Sequence, residues 1–406
     1  MLASLAWRNI WRQPVRSILS LIGLAFTSML LVFMLSFQFG VYDTMKTGAL
    51  GLFDGFGQFQ PPGYKDDPDI SKTMPDISSL EQQITAIGAI SAVTARASSF
   101  AILANGERSF AAAIIGVDPA RETKVSNLAT TVSKGRYLKA GDSNAIVLGV
   151  RLARNLGLEL GDRVTMLGTG RNGAVAADVL TLVGIFDTGI AQMDRQIAQM
   201  PLARFQFDYN LLNSANIVAL RGNKLSDVVA AEPALRALAA KNGVTYLNWR
   251  ELQPALSQMI TLDFSTSVLM YATLVIVVVF ILLNTLYMSV LERTREFGGL
   301  MAIGMRPAQI GAMAWLELIF LSFLGSAIGI ALGAAVALYF QHSGIQFEGM
   351  DEIFAQWGAS GLLYPRLSLL SAFAGPGIVV ASIALLGFIP FRHILGLEPV
   401  SAMAAA

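Results

Sequence analysis

Four segments of the chain are long and apolar enough to cross a lipid bilayer, and they constrain the fold more than any other feature. They comprise residues 18–42, 267–290, 311–340 and 367–389. A helix rises about 1.5 Å per residue, so about 20 apolar residues span the roughly 30 Å hydrocarbon core. Only 14% of the 406 residues are charged, against roughly 25% in soluble domains. The sequence therefore predicts a membrane protein with an all-α domain of four transmembrane helices.

The basic residues predict how these spans are oriented, because arginine and lysine accumulate in cytoplasmic loops. Residues 1–17 carry three arginines and no acidic residue, and the loop 291–310 carries three more arginines. The loop 341–366 has three acidic residues against one arginine. We therefore expect 1–17, 291–310 and the tail 390–406 in the cytoplasm, and 43–266 and 341–366 on the outer side.

Residues 1–17 are predicted to form a helix at the membrane interface. Trp7 and Trp11 are four residues apart, and so are Arg8 and Arg12. A helix places the aromatic rings and the guanidinium groups on separate stripes, the latter toward anionic lipid headgroups. A plain cytoplasmic anchor requires the same residues, so both interpretations remain open.

The segment 43–266 is predicted to be a large α+β extracytoplasmic domain inserted between the first and second spans. Strands at 89–103 and 108–117 are expected to form a hairpin, because the Asn-Gly pair between them favours a tight turn. Ser78 and Glu81 have the spacing of a capping box, which predicts a helix start. Further strands and helices alternate without the pattern of a long parallel sheet, so two subdomains are expected. Two of the further helices are expected at 150–156 and around 225–242.

Side chains that could assemble a catalytic or cofactor site are scarce. The chain has no cysteine and two histidines, His342 and His393, which the predicted topology separates across the membrane. No lysine follows a glycine, so the phosphate-binding motif GxxxxGK[ST] is absent. A net charge of +1 argues against a nucleic-acid partner. We therefore expect no enzyme activity, no metal and no cofactor, with any ATP bound by another chain.

Two of the spans contain an isolated polar residue. Asn284 and Glu317 each lie about six residues from the predicted cytoplasmic end of their span, roughly 9 Å deep. Because polar groups in lipid seek partners, we expect the two side chains to face each other. A carboxylate near the interface can reach water, so Glu317→Gln is expected to leave activity largely intact.

The third span carries glycine at every fourth position, at Gly325, Gly329 and Gly333. Small residues at this spacing form a flat stripe that another helix can approach closely. The stripe is predicted to serve helix packing, either within the chain or between subunits.

The segment 291–310, here named the coupling segment, is a short charged sequence with a helical pattern between two very apolar spans. Such a segment offers a surface to a cytoplasmic partner. The alternative is a loop that only fixes the topology.

The motif Glu292-Arg-Thr-Arg-Glu-Phe-Gly298 in the coupling segment resembles the cytoplasmic signature of the FtsX-like or MacB-type (type VII) ABC transporter permeases. Other stretches resemble further landmarks of this family: Trp7-Arg-Asn-Ile10, Gly116-Val-Asp-Pro119, Gly161-Asp162 and Leu397-Glu-Pro-Val400. The resemblance covers nearly the whole chain. It implies a multi-pass protein of the bacterial inner membrane with a MacB-like periplasmic domain between the first two spans.

The resemblance also implies mechanotransmission. In this family two permeases, identical or paralogous, pair with two copies of a separate ABC ATPase, whose closure pushes on the coupling segment. Apolar members of the segment would seat in a groove on the ATPase, and charged members would set the register. We expect charge reversal at Arg293 and Arg295 to detach the ATPase. The residues expected at this contact are Glu292, Arg293, Arg295, Glu296, Gly298, Leu300, Ile303, Gly304 and Met305.

Within the family, the layout is closest to the lipoprotein-releasing (LolC/LolE-like) permeases, which have four spans, no fused ATPase and a large outer domain. This resemblance implies lipoprotein release, or export of another periplasmic cargo, with a lipoprotein carrier or adaptor as a candidate partner. The alternative is an FtsX-like signalling or scaffold protein, in which the same motion activates an extracytoplasmic hydrolase.

Overall fold

The computed structural model describes residues 2–12, 14–347, 349 and 361–395. This part of the chain divides into two units. The helical unit comprises Met1–Tyr42, Ile260–Gln346 and Leu362–Ala406, and the sheet unit comprises Asp43–Met259 and Phe347–Gly361. Each unit is described by itself.

The α-helices of the described residues are numbered in chain order. They are α1 (Leu2–Ile10), α2 (Pro14–Ala49), α3 (Ile77–Thr85), α4 (Pro119–Val125), α5 (Val150–Leu156), α6 (Ala191–Gln196), α7 (Leu202–Asp208), α8 (Leu225–Ala230), α9 (Glu232–Lys241), α10 (Trp249–Leu252), α11 (Pro254–Glu292), α12 (Thr294–Ala302), α13 (Pro307–Ser343), α14 (Leu369–Leu386) and α15 (Phe388–Leu395).

The strands are numbered in the same way. They are β1 (Gly57–Gln60), β2 (Ala92–Asn105), β3 (Arg108–Val117), β4 (Val132–Gly135), β5 (Ala145–Gly149), β6 (Arg163–Thr169), β7 (Val175–Phe186), β8 (Ile197–Pro201), β9 (Ile217–Arg221), β10 (Thr245–Asn248), β11 (Ile345–Gln346) and β12 (Leu362–Leu363).

Helices α2, α11, α13 and α14 are long and apolar enough to span a membrane. The chain is thus a membrane protein with four transmembrane helices and a large domain between the first and the second. Two of the helices are longer than their apolar runs: α2 continues to Ala49, and α11 begins at Pro254. Helical hydrogen bonding does not require apolar side chains, and proline is well suited to the first helical position.

The glycine stripe of α13 packs against α2. A Cβ atom built on Gly329 would lie 2.4 Å from the Ala25 carbonyl oxygen and 2.5 Å from the Ser28 Cβ atom. Gly325 and Gly333 approach α2 in the same way, and Ser28 donates a 3.2 Å hydrogen bond to Ser326. The structure therefore uses the stripe for a contact within the chain.

Ten strands of the sheet unit form one sheet in the order β10-β1-β9-β2-β3-β8-β5-β7-β4. The tenth strand, β6, pairs antiparallel with both β2 and β7 and so closes a ring of six strands. Most pairs are antiparallel, but β3 with β8 and β5 with β7 are parallel. One apolar cluster lies on the ring, and another lies around β1, β9 and the start of β2.

Local signals predicted several elements of the sheet unit well. The hairpin of β2 and β3 turns at Gly106, whose φ of 59° suits glycine, and α5 has the expected bounds. The predicted capping box is wrong, because Asp76 precedes α3 and makes no side-chain cap. Glu81 instead forms an ion pair with Arg121. The single helix expected around 225–242 is two helices, α8 and α9.

Candidate functional site

The coupling segment contains one short helix, α12, followed by a tight turn. The turn passes through Gly304, whose φ of +104° is accessible mainly to glycine. Arg306 then precedes α13, and its backbone N–H donates a 3.0 Å hydrogen bond to the Gln309 side chain. The segment is thus a compact element anchored at both ends by long helices.

Helix α12 has a buried face and an exposed face. Phe297 is 1% exposed and packs, with Met301, in the apolar core of the helical unit. Gly298 is also buried, and Leu300 and Met305 are partly buried against the same core. Of the apolar residues predicted to contact the ATPase, Leu300 and Met305 are therefore partly buried within the chain, and Ile303 is exposed.

Ile303 and Arg295 lie on the accessible side of the coupling segment. Ile303 is 80% exposed although it is a large apolar residue, and Arg295 and Gly304 are exposed as well. Glu292 and Glu296, also predicted to contact the ATPase, are accessible too, with side chains 61% and 44% exposed.

Two of the predicted contact residues are instead paired with the N-terminal part of the chain. Arg12 lies 3.3 Å from Glu296, and Arg16 lies 3.5 Å from Glu292. Because α1 ends at Ile10 and α2 starts at Pro14, these ion pairs connect the coupling segment to the junction of α1 and α2. The N-terminal arginines thus contact the coupling segment as well as satisfying the charge rule for orientation.

Glu317 of α13 binds a partner other than the one predicted. Its carboxylate lies 3.4 Å from an Arg293 Nη atom and accepts a 3.5 Å hydrogen bond from Asn9 Nδ2. The Asn284 side chain is exposed, so the expected pairing of Asn284 with Glu317 is wrong. The sequence predicted that both residues lie at the same depth in the membrane. Equal depth does not place two side chains on facing sides of their helices.

The ion pairs surround a small cavity of about 50 Å³. Its charged lining consists of Arg12, Arg16, Arg293, Glu296 and Glu317. A volume of this size holds about one water molecule, with polar groups on several sides. The cavity is therefore suited to solvation of the ion pairs rather than to a substrate.

A second polar cluster of the helical unit was not found from the sequence. Gln38 donates to Tyr42 at 2.8 Å and to Asp263 at 3.2 Å, and it accepts a 3.0 Å hydrogen bond from Tyr271. Ser267 is a further partner of Gln38. The signal was present, because residues 263, 267 and 271 recur every four positions and therefore share a face of α11. The cluster joins α2 to α11 by polar contacts.

Within the described ranges, no group of three or more histidine, cysteine, aspartate or glutamate side chains is placed to hold a metal ion. The coupling segment has one buried face and one accessible face.

Two protein-family models match this chain and together identify its class and family. The sequence model of the MacB-like periplasmic core domain matches residues 17–239, and that of the FtsX-like permease C-terminal region matches residues 268–399. The architecture and these matches define a permease component of an ABC transporter. The chain belongs to the type VII family of ABC transporter permeases, which includes LolC, MacB and FtsX-like proteins. Permeases of this family work with an ATPase.

Individual relatives share part of the chain. The lipoprotein-releasing system transmembrane protein LolC of Neisseria meningitidis serogroup B is 27% identical over 247 residues, which is 58% of each chain. The macrolide export ATP-binding/permease protein MacB of a Shewanella species is 31% identical over 122 residues, 30% of this chain and 16% of that protein. The chain therefore spans less than two thirds of the length of either relative.

Among solved structures, the periplasmic region of MacB from Actinobacillus actinomycetemcomitans matches 52% of this chain and 95% of that chain. Its sequence identity is 16% and the TM-score is 0.38.

Proposed function

We propose that this chain is the inner-membrane permease subunit that transmits the motion of a separate ABC ATPase to its own periplasmic domain. The observation that supports this most is the two-sided nature of α12. Phe297 is buried in the helical unit, whereas Ile303 is 80% exposed in the same short segment. A partner that binds the exposed side therefore acts on an element that is packed into the transmembrane core.

The ion pairs provide a physical route for that action. Glu292 and Glu296 are paired with Arg16 and Arg12, and Arg293 is paired with Glu317 of α13. Displacing α12 would pull on the mostly buried Arg293–Glu317 pair, and separating a buried ion pair costs free energy. Motion of α12 is therefore expected to carry α13 with it. The more exposed Arg12–Glu296 and Arg16–Glu292 pairs contribute less. Both α2 and α11 contribute residues to the helical unit and to the sheet unit.

The cargo proposed first is a lipoprotein, released from the membrane to a periplasmic carrier, and export of another periplasmic molecule is second. The name of the LolC relative supports this order, since it matches the largest share of the chain among the relatives described above. In this proposal a second permease, identical or paralogous, completes the complex. ATP is bound by the ATPase, and this chain binds no cofactor.

The test is whether the exposed side of the coupling segment holds the ATPase. Arg293 is mostly buried, with a side chain 11% exposed, so Arg295→Glu and Ile303→Ser are the cleaner changes. We expect each to reduce the ATPase that co-purifies with tagged permease by about tenfold, because an exposed anchor at an interface contributes about 1.4 kcal/mol or more. Quantitative mass spectrometry of the purified complex measures this.

Matched controls make the same chemical changes on the sheet unit. Arg151→Glu and Val175→Ser alter an exposed arginine and a 76% exposed valine, and both should retain the ATPase. Retention of the ATPase by both coupling-segment variants, at normal permease levels, would rule out this contact.

A further inference from the structure

The sheet unit contains a cavity of about 560 Å³, a size typical of small-molecule sites. Its walls come from three separate pieces of chain. One is the stretch from Ala49 to Asp54, another is α6 with its flanking residues, and the third surrounds Gln253 and the start of α11. The cavity is distinct from the coupling segment, which belongs to the helical unit.

One wall is a π-helix, Leu50–Asp54. This conformation is rare and is frequently found at functional sites. The π-helix ends at Gly55, whose φ is +78° and whose N–H donates a 2.8 Å hydrogen bond to the Leu50 carbonyl. Gln58 donates a further 2.9 Å hydrogen bond to the Asp54 carbonyl. The wall is therefore held in a defined and unusual backbone conformation.

The second wall is fixed by a buried carboxylate. Asp194 of α6 accepts hydrogen bonds from Thr188, at 2.9 Å from its N–H and 2.8 Å from its hydroxyl. Burial raises the pKa of Asp194 above its ordinary value, and the two hydrogen bonds from Thr188 oppose that rise. These contacts position Ile190 and Met193, which line the cavity. The wall is thus preorganised rather than a loose loop.

Asp54 is the one charged side chain among the described residues that line the cavity. Gln253, from the third wall, donates a hydrogen bond to its carboxylate. The nearby Arg96 interacts electrostatically with Asp54, but its hydrogen bonds go to Glu122, in a bidentate ion pair at 2.7 and 2.9 Å. The Arg96 guanidinium also lies over the Phe53 ring, 4.4 Å from its centroid. This contact helps to hold the wall that contains Phe53. Asp54 is thus the one acidic group in the described lining of a largely apolar cavity.

We propose that this cavity binds a bulky apolar cation, whose charge pairs with Asp54 and whose body contacts the apolar walls. The apolar part of the lining includes Leu52, Phe53, Met193 and Leu256, and methionine adapts to irregular ligand shapes. An anion of the same shape is disfavoured, because it would lie beside the Asp54 carboxyl group with no basic side chain in the described lining. The site goes beyond the proposed coupling function, and binding at it needs no ATPase.

The test uses a pair of probes that share a shape and differ in charge. Tetraphenylphosphonium and tetraphenylborate are offered to the full chain in lipid nanodiscs, and binding to empty nanodiscs is subtracted. We expect the phosphonium to bind at one site per chain and the borate at least tenfold more weakly. Asp54→Asn should weaken phosphonium binding about tenfold, which corresponds to about 1.4 kcal/mol. Asp66→Asn, which alters an exposed acid outside the cavity, should have no effect.

A second variant tests the cavity without touching the carboxylate. Met193→Trp places a larger side chain in the lining and should abolish phosphonium binding while leaving the elution profile of the permease unchanged. Equal binding of the two probes overturns the proposal. So does wild-type affinity in either Asp54→Asn or Met193→Trp. Because no ATPase is present, failure here is distinguishable from failure of the coupling proposal.

Discussion

At the scale of single residues, Arg293 and Glu317 decide how the coupling segment is attached to the transmembrane helices. Their side chains are 11% and 16% exposed, and the pair is 3.4 Å apart. A mostly buried guanidinium that loses its counter-charge retains its desolvation cost. Asn9 adds a hydrogen bond to the same carboxylate, so a residue of α1 also depends on Glu317.

Glu317→Gln should therefore destabilise the protein while preserving its shape. Glutamine can still accept the hydrogen bond from Asn9, but it removes one of the two carboxylates that pair with Arg293, the other being the more exposed Glu296 at 3.3 Å. We expect a loss of about 1–3 kcal/mol in the free energy of unfolding, the range for a hydrogen bond to a charged group. Thermal unfolding in detergent measures the change.

Asn284→Ala is the matched control, because Asn284 is the other intramembrane polar residue and its side chain is exposed. It should unfold at the wild-type temperature. Wild-type stability of Glu317→Gln would mean that the Arg293–Glu317 pair contributes nothing. The additional double variant Arg293→Met/Glu317→Gln should be less destabilised than the sum of its single changes, since the partners interact directly.

At the scale of elements, close contact between α2 and α13 organises the helical unit. The glycines of α13 bring the two helices together over several turns, and a Cβ atom at Gly329 would overlap backbone and side-chain atoms of α2. Small residues allow such an approach because they present no side chain between the helix backbones. The close approach leaves no space for an added side chain. A glycine-to-alanine substitution, which adds one methyl group, therefore tests the contact.

Gly329→Ala and Gly377→Ala should shift thermal stability in opposite directions. Alanine favours the helical conformation over glycine by about 1 kcal/mol at either position. A Cβ atom added at Gly377 would meet no other atom within 4 Å, so that gain should be retained. At Gly329 the steric cost of overpacking, about 1–3 kcal/mol, should exceed the gain in helix stability. Unfolding temperatures in detergent compare the two variants, and an equal rise in both would contradict the close contact.

At the scale of the whole molecule, the proposed function requires the coupling segment and the sheet unit to lie on opposite sides of the membrane. Four spanning helices are present, and the sheet unit is inserted between the first and the second. The coupling segment follows the second span, so one crossing separates it from the sheet unit. The charge rule then predicts that the coupling segment lies in the cytoplasm.

Single cysteines test this orientation without background, because the natural chain has no cysteine. Ala302 and Ser226 are exposed positions in α12 and α8. In spheroplasts a membrane-impermeant maleimide should label Ser226→Cys, and it should label Ala302→Cys only after lysis. Labelling of Ala302→Cys in intact spheroplasts would refute the proposed orientation and with it the contact to a cytoplasmic ATPase.

Signals contained in short stretches of sequence determined much of this protein. Apolar runs long enough for a bilayer predicted the four spans, and the Asn-Gly pair predicted the hairpin of β2 and β3, because hydrophobic length and turn chemistry act locally. The coupling segment was recognisable from its motif for the same reason.

Only the tertiary structure decided which distant residues meet. It paired Glu317 with Arg293 and Asn9 instead of Asn284, placed the glycine stripe against α2, and closed the strand ring through β6. It also buried Phe297 and Met301 of α12 in the helical core and left Ile303 accessible. Such contacts join residues from 24 to 308 positions apart. They depend on the rotation and packing of whole helices and strands, which local sequence patterns do not specify.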